Sequence, residues 1–169
     1  PGILECWFGQ QLLASRGYAV LQVNPRGSLG YGRDEFRRSF RDIARGPSRD
    51  VLWAMQDVQQ KQTNIGATGR AILASEYGAM AAGWILASTS DFGAAVLEDG
   101  IYQVPAHLAA HPGWANMVEM LGGLPQDPTV ANTIRDTDLI SHVNRIEAPV
   151  LLMVGSSGRQ TSLLDSVLL

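Results

Sequence analysis

Ser75 and Glu76 are the residues whose placement invites covalent chemistry. They fall between a short apolar run, Ala71-Ile72-Leu73-Ala74, and a run of small residues that opens a helix, Tyr77-Gly78-Ala79-Met80-Ala81-Ala82. A strand, a sharp turn and a helix in that order lift the turn side chain above the sheet, where a substrate can reach it. A serine there attacks an acyl carbon through its hydroxyl, and a carboxylate there can form an ester intermediate. Either route needs a base for the following hydrolysis and a group that orients the base. Read as plain structure, Ser75 is a buried or turn-bonded serine. Glu76 is then a solvent-facing carboxylate favoured by the positive end of a helix.

The other chemically capable residues are scattered. The histidines are His107, His111 and His142. His107 and His111 have the four-residue spacing of a helical metal pair, but Pro105 and Pro112 argue against a regular helix there. Surface or capping roles are expected for them, and no metal site. Glu98 and Asp99 close a strand at its carboxyl end, the edge where parallel sheets place their sites. With Glu76 they would form an acidic pocket, while Asp99-Gly100 also reads as a simple turn. Arg33, Arg37, Arg41, Arg45 and Arg49 recur every four residues, with Arg38 beside them. On one helix they make a basic stripe of the kind that meets phosphate. Asp34, Glu35, Asp42 and Asp50 interleave, which favours an ion-paired, solvated face. The loop from Gly27 to Gly32 lacks the G-K-[ST] ending of a phosphate cradle.

The elements that must position these residues are legible from periodicity. Residues 9–16 read as a helix, and 19–23 as a mostly apolar, buried parallel strand. Residues 24–32 form a glycine-dense loop. Residues 33–45 suit a helix with Phe36, Phe40 and Ile43 on one face. Gly46-Pro47-Ser48 is expected to break it, with Ser48 capping an amphipathic helix that carries Val51, Leu52, Met55 and Val58. Residues 72–74 and 94–98 are strands with a helix over 77–87 between them, and 149–154 is the last strand. Residues 105–143 look less regular, with a helix over 114–121 and a break at Gly122-Gly123-Leu124-Pro125. Strands alternating with helices predict a parallel sheet covered on both faces.

Composition bounds the rest. The chain has 169 residues, 46% hydrophobic and 17% charged, as expected for one globular domain spanning 1–169. A net charge of −3 gives no reason to expect nucleic acid or an anionic membrane as partner. Cys6 is the only cysteine, which excludes an internal disulfide and fits a reducing, cytoplasmic setting. No apolar run approaches the roughly 18 residues of a membrane span. The opening residues do not read as a leader or as a natural beginning.

Several blocks together resemble the prolyl oligopeptidase family of serine peptidases, nearest its acylaminoacyl-peptidase and dipeptidyl-peptidase branches. They are Leu13-Ala14-Ser15-Arg16-Gly17-Tyr18-Ala19-Val20-Leu21 and Asn24-Pro25-Arg26-Gly27-Ser28-Leu29-Gly30-Tyr31-Gly32. Ser90-Asp91-Phe92-Gly93-Ala94-Ala95-Val96, Leu121-Gly122-Gly123-Leu124-Pro125 and Ile146-Glu147-Ala148-Pro149-Val150-Leu151-Leu152 follow in the family's order. The resemblance implies a three-layer α/β-hydrolase fold with a mostly parallel sheet, here incomplete at both ends. It also implies peptide or acyl-peptide substrates, a serine acyl-enzyme and no cofactor.

Measured against that resemblance, the functional positions depart. The family's elbow is glycine, any residue, serine, tyrosine, glycine, glycine; here it reads Ala74, Ser75, Glu76, Tyr77, Gly78, Ala79. The serine position therefore holds Glu76, and Ser75 reaches it only if the turn slips by one residue. The family's acid follows a histidine-glycine pair by three residues, a position that falls on Gly158 of Val154-Gly155-Ser156-Ser157-Gly158. Gln160 and Thr161 replace the usual arginine and valine. The family's histidine is expected beyond Leu169, and all three histidines present precede the acid strand, the wrong order for this fold. Pro1-Gly2 resembles the end of the family's histidine-glycine-glycine-proline segment, and the family's β-propeller is not in this sequence.

The expectation is an inactive shell of a serine hydrolase. The alternatives are a peptide-binding or scaffold partner of an active homologue, and a hydrolase with a rearranged site. Open sheet edges would favour oligomers or aggregation.

Overall fold

A computed structural model describes residues 8–62, 65–66, 69–110 and 114–155. Three parallel strands, β1 (Ala71–Ser75), β2 (Ala94–Glu98) and β3 (Val150–Met153), lie side by side in chain order. The register places Ile72 beside Ala95 and Ala95 beside Val150, then Ala74 beside Leu97 and Leu97 beside Leu152. These six side chains make one apolar face. Period-two alternation then sends Ala71, Leu73 and Ser75 of β1, with Leu151 and Met153 of β3, to the other face, where they are exposed.

The covering helix is α4 (Tyr77–Leu86), buried from Ala79 to Leu86. An all-round apolar helix of this kind needs neighbours on every side. The strands supply one and α3 (Arg45–Lys61) another, the latter through Ser48, whose Oγ donates to the Ala44 carbonyl at 2.6 Å and the Ala81 carbonyl at 3.0 Å. Leu139 closes a third side. It is fully buried at Gly83, where a Cβ would run into the Leu139 Cδ2 atom. Leu139 opens a 3-10 helix (Leu139–Arg145) that leads into β3.

Several sequence expectations are corrected. Residues 19–23 form no strand; Val20 and Leu21 are exposed, and no strand lies beside β1 on that edge among the described residues. An apolar run of strand length becomes a strand only when a neighbour pairs with it. The helix expected over 33–45 ends early, as α2 (Arg33–Arg37). Ser39 Oγ bonds back to the Phe36 carbonyl, and the Glu35 carbonyl accepts from the Gly27 and Arg38 N–H groups. Such local bonds compete with continued helix. Arg41 then takes a positive φ of 61°.

Gly46-Pro47-Ser48 does not break the chain but lies in the first turns of α3, where a proline sacrifices no hydrogen bond. The N-cap residue is Ala44, not Ser48, and it offers no side-chain cap; Asp42, two residues earlier, accepts from the Gly46 N–H at 2.8 Å through its Oδ1. Likewise α5 (Val104–Ala110) forms across His107, because Pro105 sits in its first turn. The region expected to be less regular holds the helix expected over 114–121, α6 (Trp114–Leu121), and beyond the expectation α7 (Pro128–Thr137). Asp127 caps α7: its Oδ1 accepts from the Thr129 N–H at 2.8 Å, and a proline follows the cap.

Candidate active site

The turn between β1 and α4 has one strained residue, Glu76, at φ 52°, ψ −123°. A non-glycine residue in this sparsely populated region costs about 1–3 kcal/mol and persists only where neighbours hold it. The neighbours are visible. The Glu76 N–H donates to the Glu98 carbonyl at 2.9 Å, and its own carbonyl accepts from the Ala79 N–H at 3.1 Å. Strand and helix are in van der Waals contact at this turn, where a Cβ built on Gly78 would lie 3.8 Å from the Ala74 Cβ. Small residues at 74 and 78 allow that contact.

Ser75 is the last residue of β1, pairs with Glu98 and is exposed on the bare sheet face. Glu76 is exposed as well, at the start of α4. Tyr77 instead turns inward, and its hydroxyl donates to the Ile43 carbonyl at 2.7 Å. Burial, with Asp42 and Asp50 nearby, pushes the Tyr77 phenol well above its ordinary range, so it stays a neutral donor.

At the carboxyl edge of the sheet, Asp99 takes a positive φ of 46° after β2. Its N–H donates to the Met153 carbonyl at 2.8 Å, and its Oδ1 accepts from the Gly155 N–H at 2.8 Å. Asp99 thus fastens the chain as it leaves β3. Glu98 is exposed beside Ser75 and Met153. No group of three acidic, histidine or cysteine side chains suited to a metal forms among the described residues. Glu76 and Glu98 meet at this edge through the Glu76 N–H, and Asp99 follows Glu98, so the three acidic residues share the carboxyl end of the sheet.

Two of the histidines, His107 and His142, fall among the described residues. His107 is buried and lines a cleft of about 270 Å³ with Gly27, Ser39, Tyr77, Ile101, Met117 and Met120. His142 packs on Trp84 with ring centroids 4.6 Å apart. His111 and Gly158 lie outside the described residues, as do Gln160, Thr161, Cys6 and Pro1-Gly2. The structure brings Tyr77 and His107 to one cleft.

The arginine stripe is divided. Arg33 and Arg37 are on α2, Arg41 is in the turn, and Arg45 and Arg49 are on α3. Arg38 pairs with Glu35 at 3.0 Å and Arg49 with Asp42 at 3.9 Å, while the Arg45 guanidinium sits 5.0 Å from the Trp84 ring centre. Sequence reasoning missed the strongest ion pair. Arg26 Nε and Nη2 donate to the two oxygens of Asp50 at 2.8 and 2.7 Å, and the Arg26 N–H also reaches Asp50. That fork fixes the glycine-dense loop to α3 and holds the Asp50 carboxyl below the usual carboxylate range.

Comparison with known proteins converges on one family. The model of the prolyl oligopeptidase family matches residues 6–164. The mouse acylamino-acid-releasing enzyme is 26% identical over 158 residues, covering 88% of this chain and 21% of the relative. An uncharacterized peptidase of Bacillus subtilis, YuxL, is 33% identical over 91 residues, covering 54% of this chain and 14% of that protein. The chain thus spans about a fifth or less of these relatives' length. The acylaminoacyl peptidase of Pyrococcus horikoshii superposes with a TM-score of 0.87 at 23% identity, over 95% of this chain and 26% of that one.

Proposed function

This chain belongs to the prolyl oligopeptidase family, and on that premise we propose that it is a serine-hydrolase shell without acyl-transfer activity of its own. The observation that carries the reading is the backbone of Glu76. The strained residue of a strand-turn-helix elbow is the one that presents the nucleophile, and in this chain that residue is Glu76, not Ser75. Ser75, one residue earlier, ends β1 in regular pairing with Glu98. This supports aligning Glu76 with the family's serine and speaks against a slipped turn.

Glu76 is a poor substitute. Attack of its carboxylate on a peptide carbonyl would form a mixed anhydride while breaking the amide. The departing nitrogen would also need a proton from a positioned general acid. Removing the nucleophile from a serine protease costs on the order of a millionfold in kcat. Gly158, at the acid position, carries no side chain that could orient a base.

The test is labelling of the purified chain with a fluorophosphonate, with an active family member treated in parallel. No labelling of this chain is expected. Modification at Ser75 would overturn the reading and revive a hydrolase with a rearranged site.

A second reading is a non-catalytic peptide-binding or scaffold partner of an active homologue. It is favoured by the bare face and unpaired β1 and β3 edges of the described sheet, which suit strand addition. Selective binding of peptides or N-acyl peptides without turnover would support it, and oligomers formed through those edges would be consistent with it. A reducing, cytoplasmic setting is part of our reading, supported by the single cysteine. No helix among the described residues is long and apolar enough to cross a membrane.

A further inference from the structure

The Leu139–Arg145 helix, with the end of α7 just before it, meets α4 at Gly83 and Trp84. Leu139 fills the notch that Gly83 leaves, and Trp84 Nε1 donates to the Thr137 carbonyl at 2.9 Å. The His142 imidazole lies on the Trp84 indole, tilted by 54°. Its Nδ1 is buried without a hydrogen-bond partner. Four charged groups act electrostatically on the ring: Arg45 from α3, Arg145 from the same 3-10 helix, Asp136 from α7 and Asp138 at the helix start.

We propose that this 3-10 helix is an acid-released latch on α4, with His142 as its trigger. The neutral ring fits its place. Protonation would put a positive charge on a half-buried ring that Arg45 and Arg145 already repel, and would leave the buried Nδ1–H with no acceptor. Two features oppose this. Asp136 and Asp138 attract a proton to the ring, and an indole face attracts cations. The indole, however, already carries the Arg45 guanidinium. Asp138 is drawn toward its neutral form by burial and spends Oδ1 on the Val104 N–H. Desolvation, followed by Arg145 and Arg45, outweighs both and holds His142 below the ordinary imidazole range.

The sign follows. The docked latch binds the proton less tightly than the released one, so docking is complete above the ordinary imidazole pKa and weakens as the pH falls below it. One proton limits the effect to about tenfold per pH unit. Release would loosen the lead into β3, because the latch ends at Arg145 and β3 starts at Val150.

The experiment is amide hydrogen exchange on the full 169-residue chain at pH 7.5 and 5.0, corrected for intrinsic rates. Protection of 137–153 is expected to fall severalfold or more at pH 5.0, while 79–86 stays protected. His142→Gln, or His142→Phe, should abolish that pH response, and His142→Lys should lose protection at both pH values. If the lysine variant does not fold, the neutral variants decide the matter alone. An unchanged acid response in the neutral variants would overturn the latch. So would a flat response in the parent chain, or a His142 ring that titrates above the ordinary range by NMR, which would mean that the indole and the aspartates prevail.

Discussion

The hydroxyl of Tyr77 donates to the Ile43 carbonyl across 34 positions of sequence, tying the residue after the elbow to the turn that precedes α3. Tyr77→Phe keeps the ring and strands a carbonyl in a mostly apolar setting. The expected loss is about 1–2 kcal/mol of unfolding free energy, read from the urea midpoint. A change within error would mean that water replaces the hydroxyl.

Relief of the elbow should stabilise the fold. Glycine adopts the Glu76 conformation without steric cost, so Glu76→Gly should gain about 0.5–2 kcal/mol. That range allows for the lost attraction of a carboxylate to the helix start, about 0.3–1 kcal/mol. Glu76→Ala, which keeps a Cβ, should gain nothing. Equal stability of the two variants would show that the turn is not strained.

At Gly83 two effects compete. Alanine raises helix propensity by about 1 kcal/mol, yet its Cβ would meet the buried Leu139 side chain. Overpacking typically costs about 1–3 kcal/mol, so Gly83→Ala should be net destabilising. Combined with Leu139→Ala it should cost less than the sum of the two single changes. Additive effects in a double-mutant cycle would place Leu139 away from α4.

Two aspartates should push the acid limb of stability in opposite directions. The Arg26 hydrogen bond lowers the folded-state pKa of Asp50. Its contribution is therefore present above the ordinary carboxylate pKa and disappears as the pH falls through the lowered value. Asp50→Asn should remove that contribution and flatten the loss of stability below about pH 4. Asp138 is shifted upward by burial, so ionising it costs stability as the pH rises through the raised value. Asp138→Asn retains an acceptor for the Val104 N–H and should melt higher at pH 7. Melting curves from pH 3 to pH 7 separate the two cases.

Much of this was legible in the sequence because local rules and tertiary context agreed. The apolar runs 72–74, 94–98 and 150–153 became strands, and Tyr77 to Leu86 became the helix between two of them. The elbow was legible from the change of period at Ser75-Glu76. The failures came where a distant partner decided the outcome. Residues 19–23 have strand composition but no pairing neighbour. Pro47 and Pro105 looked like breaks because their positions within the first turns depended on where each helix begins. The Arg26–Asp50 fork joins residues 24 apart and has no periodic signature.

The order of the strands also sets an order of assembly. The crossover from β1 to β2 spans residues 76–93, whereas that from β2 to β3 spans 99–149. Closing the longer loop costs about 1 kcal/mol more in chain entropy, and its reward arrives only when β3 meets β2. The β1-α4-β2 unit can therefore form as soon as Glu98 has emerged from the ribosome, with β3 docking onto a template already in place. Substitutions at Leu97 or Ile85 should accordingly slow folding, while those at Leu152 should mainly speed unfolding, as the two arms of a chevron plot would separate. The Asp99 clamp on Gly155 would then be the last fastening made and the first undone.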